Sequence, residues 1–338
     1  MRWLLVAVLA ALIALVLLVQ PVSEPSPSTP TAVGEAAASP TAVAPASPTL
    51  APTAPPSPTP QPTTAPTAVP SPTPTLAPTE PPAPTPSPTS GPPPSPTPTN
   101  APLAGRVEQG TYPSAVTGRT ESYRVYLPPG YDQVDRRYPA LYLLHGWPYD
   151  ESHWDNLGVD EAADARIMAG TLSPFMIVLP GADSDGLYVT TSGGAGSFEE
   201  QLVNELMPHI DATYRTLQTR DARAIGGISR GGVWSLEIAF RHPDAFGIVG
   251  AHSPALSANR APPVYDPFTL MNQPGVEGLR IYLSAGDRDW AREATRQLHE
   301  ALSAQGISNQ FVVHPGAHVD QLWADHIPEY LAFYAAGW

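Results

Sequence analysis

Gly226-Gly227-Ile228-Ser229-Arg230-Gly231-Gly232 is the stretch of this sequence best suited to covalent chemistry. A Gly-x-Ser-x-Gly pattern alone is weak, because chance supplies one in roughly a tenth of chains this long. Its context is stronger. The pattern follows the run Ala222-Arg223-Ala224-Ile225 and opens a segment with Val233, Leu236 and Phe240 on one side. That reads as strand, sharp turn and helix, with the Ser229 hydroxyl raised at the turn. The flanking glycines suit a turn that strains the serine backbone and brings neighbouring chain too close for a Cβ. The plainer reading is a glycine-rich turn whose serine caps a helix.

A serine hydroxyl is a poor nucleophile at neutral pH and needs a histidine base that a carboxylate orients. Downstream, the apolar run Leu279 to Ser284 leads into Ala285-Gly286-Asp287-Arg288-Asp289, so acids stand where a strand meets a loop. The run Gln310 to Val313 leads into His314-Pro315-Gly316-Ala317-His318. His318, in a glycine-containing loop before the last helix, is the expected base, with His314 its competitor. His209, His242, His299 and His326 fall in helical patterns, where solvated or capping roles are expected. An ester's tetrahedral intermediate also needs two backbone N–H donors for its oxyanion. The residue after the nucleophile, Arg230, supplies one. Leu143-Leu144-His145-Gly146-Trp147 ends an early strand in a glycine turn, and the Trp147 N–H is assigned as the other.

These groups need a scaffold that brings strand ends together. Short apolar runs alternate with helical periodicity from Arg124 onward, which predicts βα units and a single α/β domain with a mostly parallel sheet. Strands are expected at 123–127, 140–145, 175–179, 222–225, 247–252, 279–284 and 310–313. Helices are expected at 198–217, 231–241, 290–305 and 321–334. In the first of these helices Leu202, Leu206, Ile210 and Tyr214 recur every four residues as one buried stripe.

The chain of 338 residues carries 45 Pro, no Cys, no Lys and a formal charge of -14. The charge excludes nucleic acid as an expected partner, since phosphate binding needs a basic face. The missing cysteines exclude disulfides, thiolate nucleophiles and thiolate zinc sites. Between Pro21 and Pro102 lie 29 of the 45 prolines, and the only charges there are Glu24, Glu35 and Glu80. Residues 21–104 therefore read as a disordered, extended Pro/Thr/Ser/Ala-rich linker, with a reach of up to about 3.1 Å per residue. Before it, Arg2 precedes an apolar run from Trp3 to Val19. Residues 1–20 are expected to be a signal peptide or, since no Ala-x-Ala cleavage pattern follows, a membrane anchor through residues 3–19. The positive-inside bias then places residues 105–338, the catalytic domain, outside the cytoplasm, secreted or anchored.

Further motifs carry a resemblance. Tyr126-Leu127-Pro128-Pro129-Gly130-Tyr131, Tyr138 to Gly146, Glu205-Leu206-Met207-Pro208, Gly226 to Gly232, His242-Pro243-Asp244-Ala245-Phe246, and Gly316-Ala317-His318 with Trp323 occur in one order. Over residues 106 to 338 the sequence resembles the "Putative esterase" family of α/β-hydrolases. That family includes feruloyl and acetylxylan esterases, enterochelin-type esterases, S-formylglutathione hydrolases and mycolyltransferases. The resemblance implies an α/β-hydrolase fold with helices on both sheet faces. It also implies a serine carboxylic-ester hydrolase with Ser229 as nucleophile, His318 as base and Asp289 as acid, Asp287 staying open. No metal or organic cofactor is implied. Polysaccharide-linked feruloyl or acetyl esters, or siderophore-type esters, are the expected substrates. An acyltransferase using the same acyl-enzyme and a non-catalytic wall-binding module are the alternatives. Three departures narrow the subfamily. Arg230 replaces the usual Met and could favour anionic substrates or pair with an acid. Val233-Trp234-Ser235 departs from S-formylglutathione hydrolases, and His145 stands where mycolyltransferases usually have Asp.

Overall fold

Eight strands form one sheet in the order β1-β2-β4-β3-β5-β6-β7-β8. They are β1 (Arg106–Ser114), β2 (Arg119–Leu127), β3 (Ala140–Leu144), β4 (Met176–Pro180), β5 (Arg223–Ile228), β6 (Ile248–His252), β7 (Arg280–Gly286) and β8 (Asn309–His314). β1 pairs antiparallel with β2, and β2 antiparallel with β4, while every other pairing is parallel. The computed structural model describes residues 104–182 and 186–338. The anchor or signal expected at 1–20 and the linker expected at 21–104 lie outside the described residues, apart from Ala104. No helix among the described residues is long and apolar enough to cross a membrane.

Strand alternation decides which side chain goes to which face. Ala140, Tyr142 and Leu144 of β3 join one buried cluster, and Leu141 and Leu143 join the other. All five are buried, as parallel strands covered on both sides require. One cover consists of a helical stretch at 198–213 (α2), α3 (Arg230–Arg241) and α4 (Arg292–Ala304), which give Leu202, Leu236 and Leu298 to the first cluster. The other consists of α1 (Val159–Met168) and α5 (Asp320–Ala335), which give Val159, Ala163, Ile327 and Leu331 to the second. Helices lie on both faces, and the architecture is an α/β-hydrolase fold. The C-terminal ends of β5, β6, β7 and β8 share one edge, where ligands bind in open parallel sheets.

The seven expected strands are present, with ends shifted by a few residues. β1 is additional: its polar residues and half-exposed pattern give no apolar alternation to read. α1 is also additional, because only Val159 and Ala163 of its ten residues are buried. The helix expected at 198–217 ends at Thr213, and its middle, Gln201–Leu206, winds in the wider π manner. A strict four-residue stripe outruns the 3.6-residue α period, and the wider turn keeps Leu202, Leu206 and Ile210 on the buried side.

Candidate active site

Ser229 sits between β5 and α3 at φ 55° and ψ -113°, a conformation that strains any residue with a Cβ. The turn is held by backbone contact. A Cβ on Gly227 would stand 2.3 Å from the Gly231 carbonyl oxygen, and one on Gly231 would stand 2.4 Å from the Leu144 oxygen. The glycines of the motif are therefore required by close chain approach. The Ser229 N–H donates to the His252 carbonyl at 3.0 Å, tying the turn to β6.

His318, from the loop between β8 and α5, has Nε2 at 2.9 Å from Ser229 Oγ and Nδ1 at 2.9 Å from Asp289 Oδ1. Asp289 follows the end of β7, and its side chain is fully buried. Burial raises its pKa, but the hydrogen bonds from His318 and the Ala291 N–H outweigh this and hold the carboxyl below its usual range. The His318 ring is confined by Trp290 at 4.4 Å and by the edge-on Trp323 at 5.0 Å. Ser229, His318 and Asp289 are thus brought together. Asp287 is placed elsewhere: its Oδ1 accepts the Gly316 N–H at 2.8 Å and it pairs with Arg288. His314 is also elsewhere, stacked on His326 at 3.6 Å.

The loop after β3 borders the nucleophile, since a Cβ on Gly146 would be 3.6 Å from Ser229 Cβ. The Gly146 N–H is engaged, donating to His153 Nδ1 at 3.2 Å, while His153 Nε2 faces Asp320 at 3.2 Å. Burial holds His153 below the usual imidazole range, consistent with an unprotonated Nδ1. Burial also pulls His145 down to about 4, and its ring stacks on Tyr188. The next N–H, that of Trp147, follows this anchored pair. At the other expected donor, Arg230 is the first residue of α3, where backbone N–H groups lack intrahelical acceptors.

The Arg230 guanidinium is held in place by neutral acceptors at the wall of the site. It donates to the carbonyls of Tyr188 at 2.9 Å and Thr191 at 2.7 Å, and to Asn259 Oδ1 at 3.2 Å. The four histidines expected in solvated or capping roles are half-buried, and His242 is the C-cap residue of α3, but each also has a side-chain partner. His209 meets Tyr123, His242 meets Glu199 at 2.6 Å, His299 meets Asn309, and His326 stacks on His314. His153 and Asp320 were not legible as site residues, because no spacing links a histidine after β3 to an aspartate that opens the last helix.

Two clefts meet at Ser229. A cleft of about 240 Å³ is lined by Trp147, Val189, Ala255, Ala258 and Trp290 and is mostly apolar, with Arg230 and Asn259 also in its wall. A cleft of about 440 Å³ lies on the other side, with Tyr149, Asp320, Gln321 and Trp323 in its wall.

The "Putative esterase" family model matches residues 114–334. The chain belongs to this family. It is 32% identical over 227 residues to an endo-1,4-beta-xylanase/feruloyl esterase of Xylanibacter ruminicola, a match that covers 65% of this chain and 30% of that protein. It is 27% identical over 225 residues to the iron(III) salmochelin esterase of Escherichia coli, covering 62% of this chain and 52% of that one. The chain thus spans about half or less of the length of these two relatives. A ferulic acid esterase structure superposes with TM-score 0.63 at 23% identity, covering 69% of this chain and 99% of that chain. The feruloyl esterase module from Clostridium thermocellum, complexed with sinapinate, gives 0.57 at 22% identity, covering 69% and 89%.

Proposed function

We propose that this esterase-family chain is an extracytoplasmic serine carboxylic-ester hydrolase whose substrates are aromatic acyl esters of the feruloyl type, linked to a sugar or polysaccharide. The observation that carries the reading is the unbroken relay from Ser229 Oγ to His318 to Asp289, both contacts 2.9 Å, at a strained turn. In the first half-reaction His318 Nε2 takes the Ser229 proton as Oγ attacks the ester carbonyl. The N–H groups of Trp147 and Arg230 receive the oxyanion, aided by the positive end of α3. The carbonyl re-forms, the C–O bond to the alcohol breaks, and His318 gives its proton to the leaving oxygen. Water activated by His318 then cleaves the acyl-enzyme and restores Ser229. Asp289 stabilises the imidazolium in both halves.

Two clefts support this substrate class. An apolar slot between Trp147 and Trp290 suits a planar aromatic acyl group. The larger cleft, with Tyr149, Asp320 and Gln321, suits a hydroxyl-rich alcohol. A ferric catecholate carries several negative charges and would meet only one guanidinium in the walls of the two clefts, that of Arg230, held by Tyr188, Thr191 and Asn259, with Asp320 opposing it in the larger cleft. The feruloyl relatives point the same way, although the matched region is only part of the xylanase/feruloyl esterase. The location outside the cytoplasm is supported by the sequence at residues 1–20 alone.

The test is hydrolysis of methyl ferulate, a feruloylated arabinose, a ferric siderophore ester and 4-nitrophenyl acetate by the wild type and Ser229→Ala. The wild type is expected to prefer the feruloyl esters, and the variant to lose about 10⁴-fold or more in kcat with unchanged circular dichroism. An unchanged rate in the variant removes the assignment. A preference for ferric siderophore esters removes the substrate class.

A further inference from the structure

A cluster on the far side of the His318 loop plays no part in the chemistry above. His314 is the last residue of β8, and His326 and Glu329 stand one turn apart on α5. Glu329 Oε2 lies 3.6 Å from His314 Nε2 and 3.9 Å from His326 Nδ1. One ligand atom from each residue falls within 4.8 Å of the others. These separations are too long for hydrogen bonds between the three.

Two independent features point to a ligand-binding role. His314 is 7% exposed, and its Nε2 is buried without a hydrogen-bond partner, although it faces the other two side chains. Buried polar atoms in native proteins rarely lack a partner, and an exception calls for an unseen water or ion. The second feature is the seating of the carboxylate. The Tyr282 hydroxyl donates to Glu329 Oε1 at 2.6 Å, which leaves Oε2 turned to the imidazoles. Metal-ligating carboxylates are oriented by this kind of outer hydrogen bond.

We propose that His314, His326 and Glu329 bind one divalent transition-metal ion, with Zn²⁺ the best match, and that the ion fastens β8 to α5 around the loop bearing His318. Two imidazoles and a carboxylate, with a fourth position open to water, suit Zn²⁺ and its neighbours in the first transition row. Bond lengths of about 2.0–2.2 Å place tetrahedral donors about 3.3–3.6 Å apart. The pairs with Glu329 need only small shifts. The His326 ring must turn out of its stack on His314, which its half-buried position on α5 permits. The ion takes no part in ester hydrolysis. It joins the two elements between which residues 315–319 are strung, so its effect is on stability.

The test uses the full chain without a polyhistidine tag, stripped with chelator and then dialysed against Zn²⁺. Elemental analysis is expected to find one zinc per chain, and saturating zinc to raise the melting temperature by about 5 °C. His326→Ala and Glu329→Gln, both at accessible positions, should bind zinc at least about tenfold more weakly. They should also lose the thermal shift while keeping the metal-free rate of ester hydrolysis. Tyr282→Phe, which removes the donor to Glu329 and no ligand, should weaken binding by about tenfold. A wild-type chain that retains no zinc, or binding unchanged in both His326→Ala and Glu329→Gln, overturns the proposal. The second result would place the metal elsewhere, the His318 and Asp289 pair included.

Discussion

Asp287 and Asp289 have the same chemistry two residues apart, and their surroundings give them different work. Asp289 is buried, accepts from the Ala291 N–H and touches the base. Asp287 is exposed and staples the Gly316 N–H, so it shapes the loop without reaching the imidazole. Asp289→Asn should lower kcat by about 10⁴-fold, because the amide can present the wrong partner to His318 Nδ1. Asp287→Asn should lower it by less than about tenfold and show its effect in thermal melting. Steady-state kinetics on both variants separates the roles, and an equal loss in each would refute them. The sequence placed both acids at a strand end and named Ser229, His318 and Asp289 through motif and family resemblance. Spacing alone left the acid open, because what selects Asp289 is burial and an N–H two residues on. Arg230 was legible as a cation beside the nucleophile, but its capture by the carbonyls of Tyr188 and Thr191 depends on a loop with no pattern to read.

The loop after β3 is positioned by elements distant in sequence. His153 holds the Gly146 N–H with Nδ1, and Asp320, on the first turn of α5, faces Nε2 and accepts from the Tyr149 hydroxyl. With Nδ1 accepting, the His153 proton must sit on Nε2. His153→Ala should therefore lower kcat by about 10- to 100-fold with KM little changed, since a donor displaced by about 1 Å loses most of its effect on the transition state. Asp320→Asn should act in the same direction and more weakly. A rise in KM alone would show that His153 supports substrate binding and does not position the oxyanion donor. On the other side of the site, Gly231→Ala drives a Cβ into the Leu144 and His145 carbonyls. Insoluble or unfolded protein is the expected result, and soluble active protein would count against the tight-turn account. The elbow and central strands were legible because they are apolar runs bounded by glycine. β1 and α1 were not, since a half-exposed edge strand and a helix with two buried residues leave little periodic signal.

At the scale of the whole molecule, buried titratable groups set the pH range over which the fold holds. His145 is pulled down to about 4 and His252 to about 3, both chiefly by burial. The unfolded chain takes up protons at these histidines near pH 6.5, so stability falls as pH drops from there towards 4. Glu237 is completely buried on α3, and burial pushes it up to about 8. Asp160, half-buried beside Glu161, is pushed to about 7, again chiefly by burial. Raised carboxyls have the opposite sign: the folded chain keeps protons that the unfolded chain releases near pH 4 to 4.5, so stability falls as pH rises through that value towards 8. The histidine and carboxyl effects oppose each other between about pH 4.5 and 6.5, where a plateau of melting temperature is expected, with a decline on either side. Glu237 also accepts from Asn259, which holds Arg230 and with it the chain at Tyr188 and Thr191 beside the apolar cleft, so the alkaline decline should reach the acyl slot. Glu237→Gln keeps the shape and removes the proton. At pH 8 it should raise the melting temperature by about 5 °C or more, with a much smaller effect at pH 5. Thermal melts of wild type and variant from pH 4 to 9 provide the measurement, and parallel curves would show that the buried carboxyl is not the source of the alkaline decline.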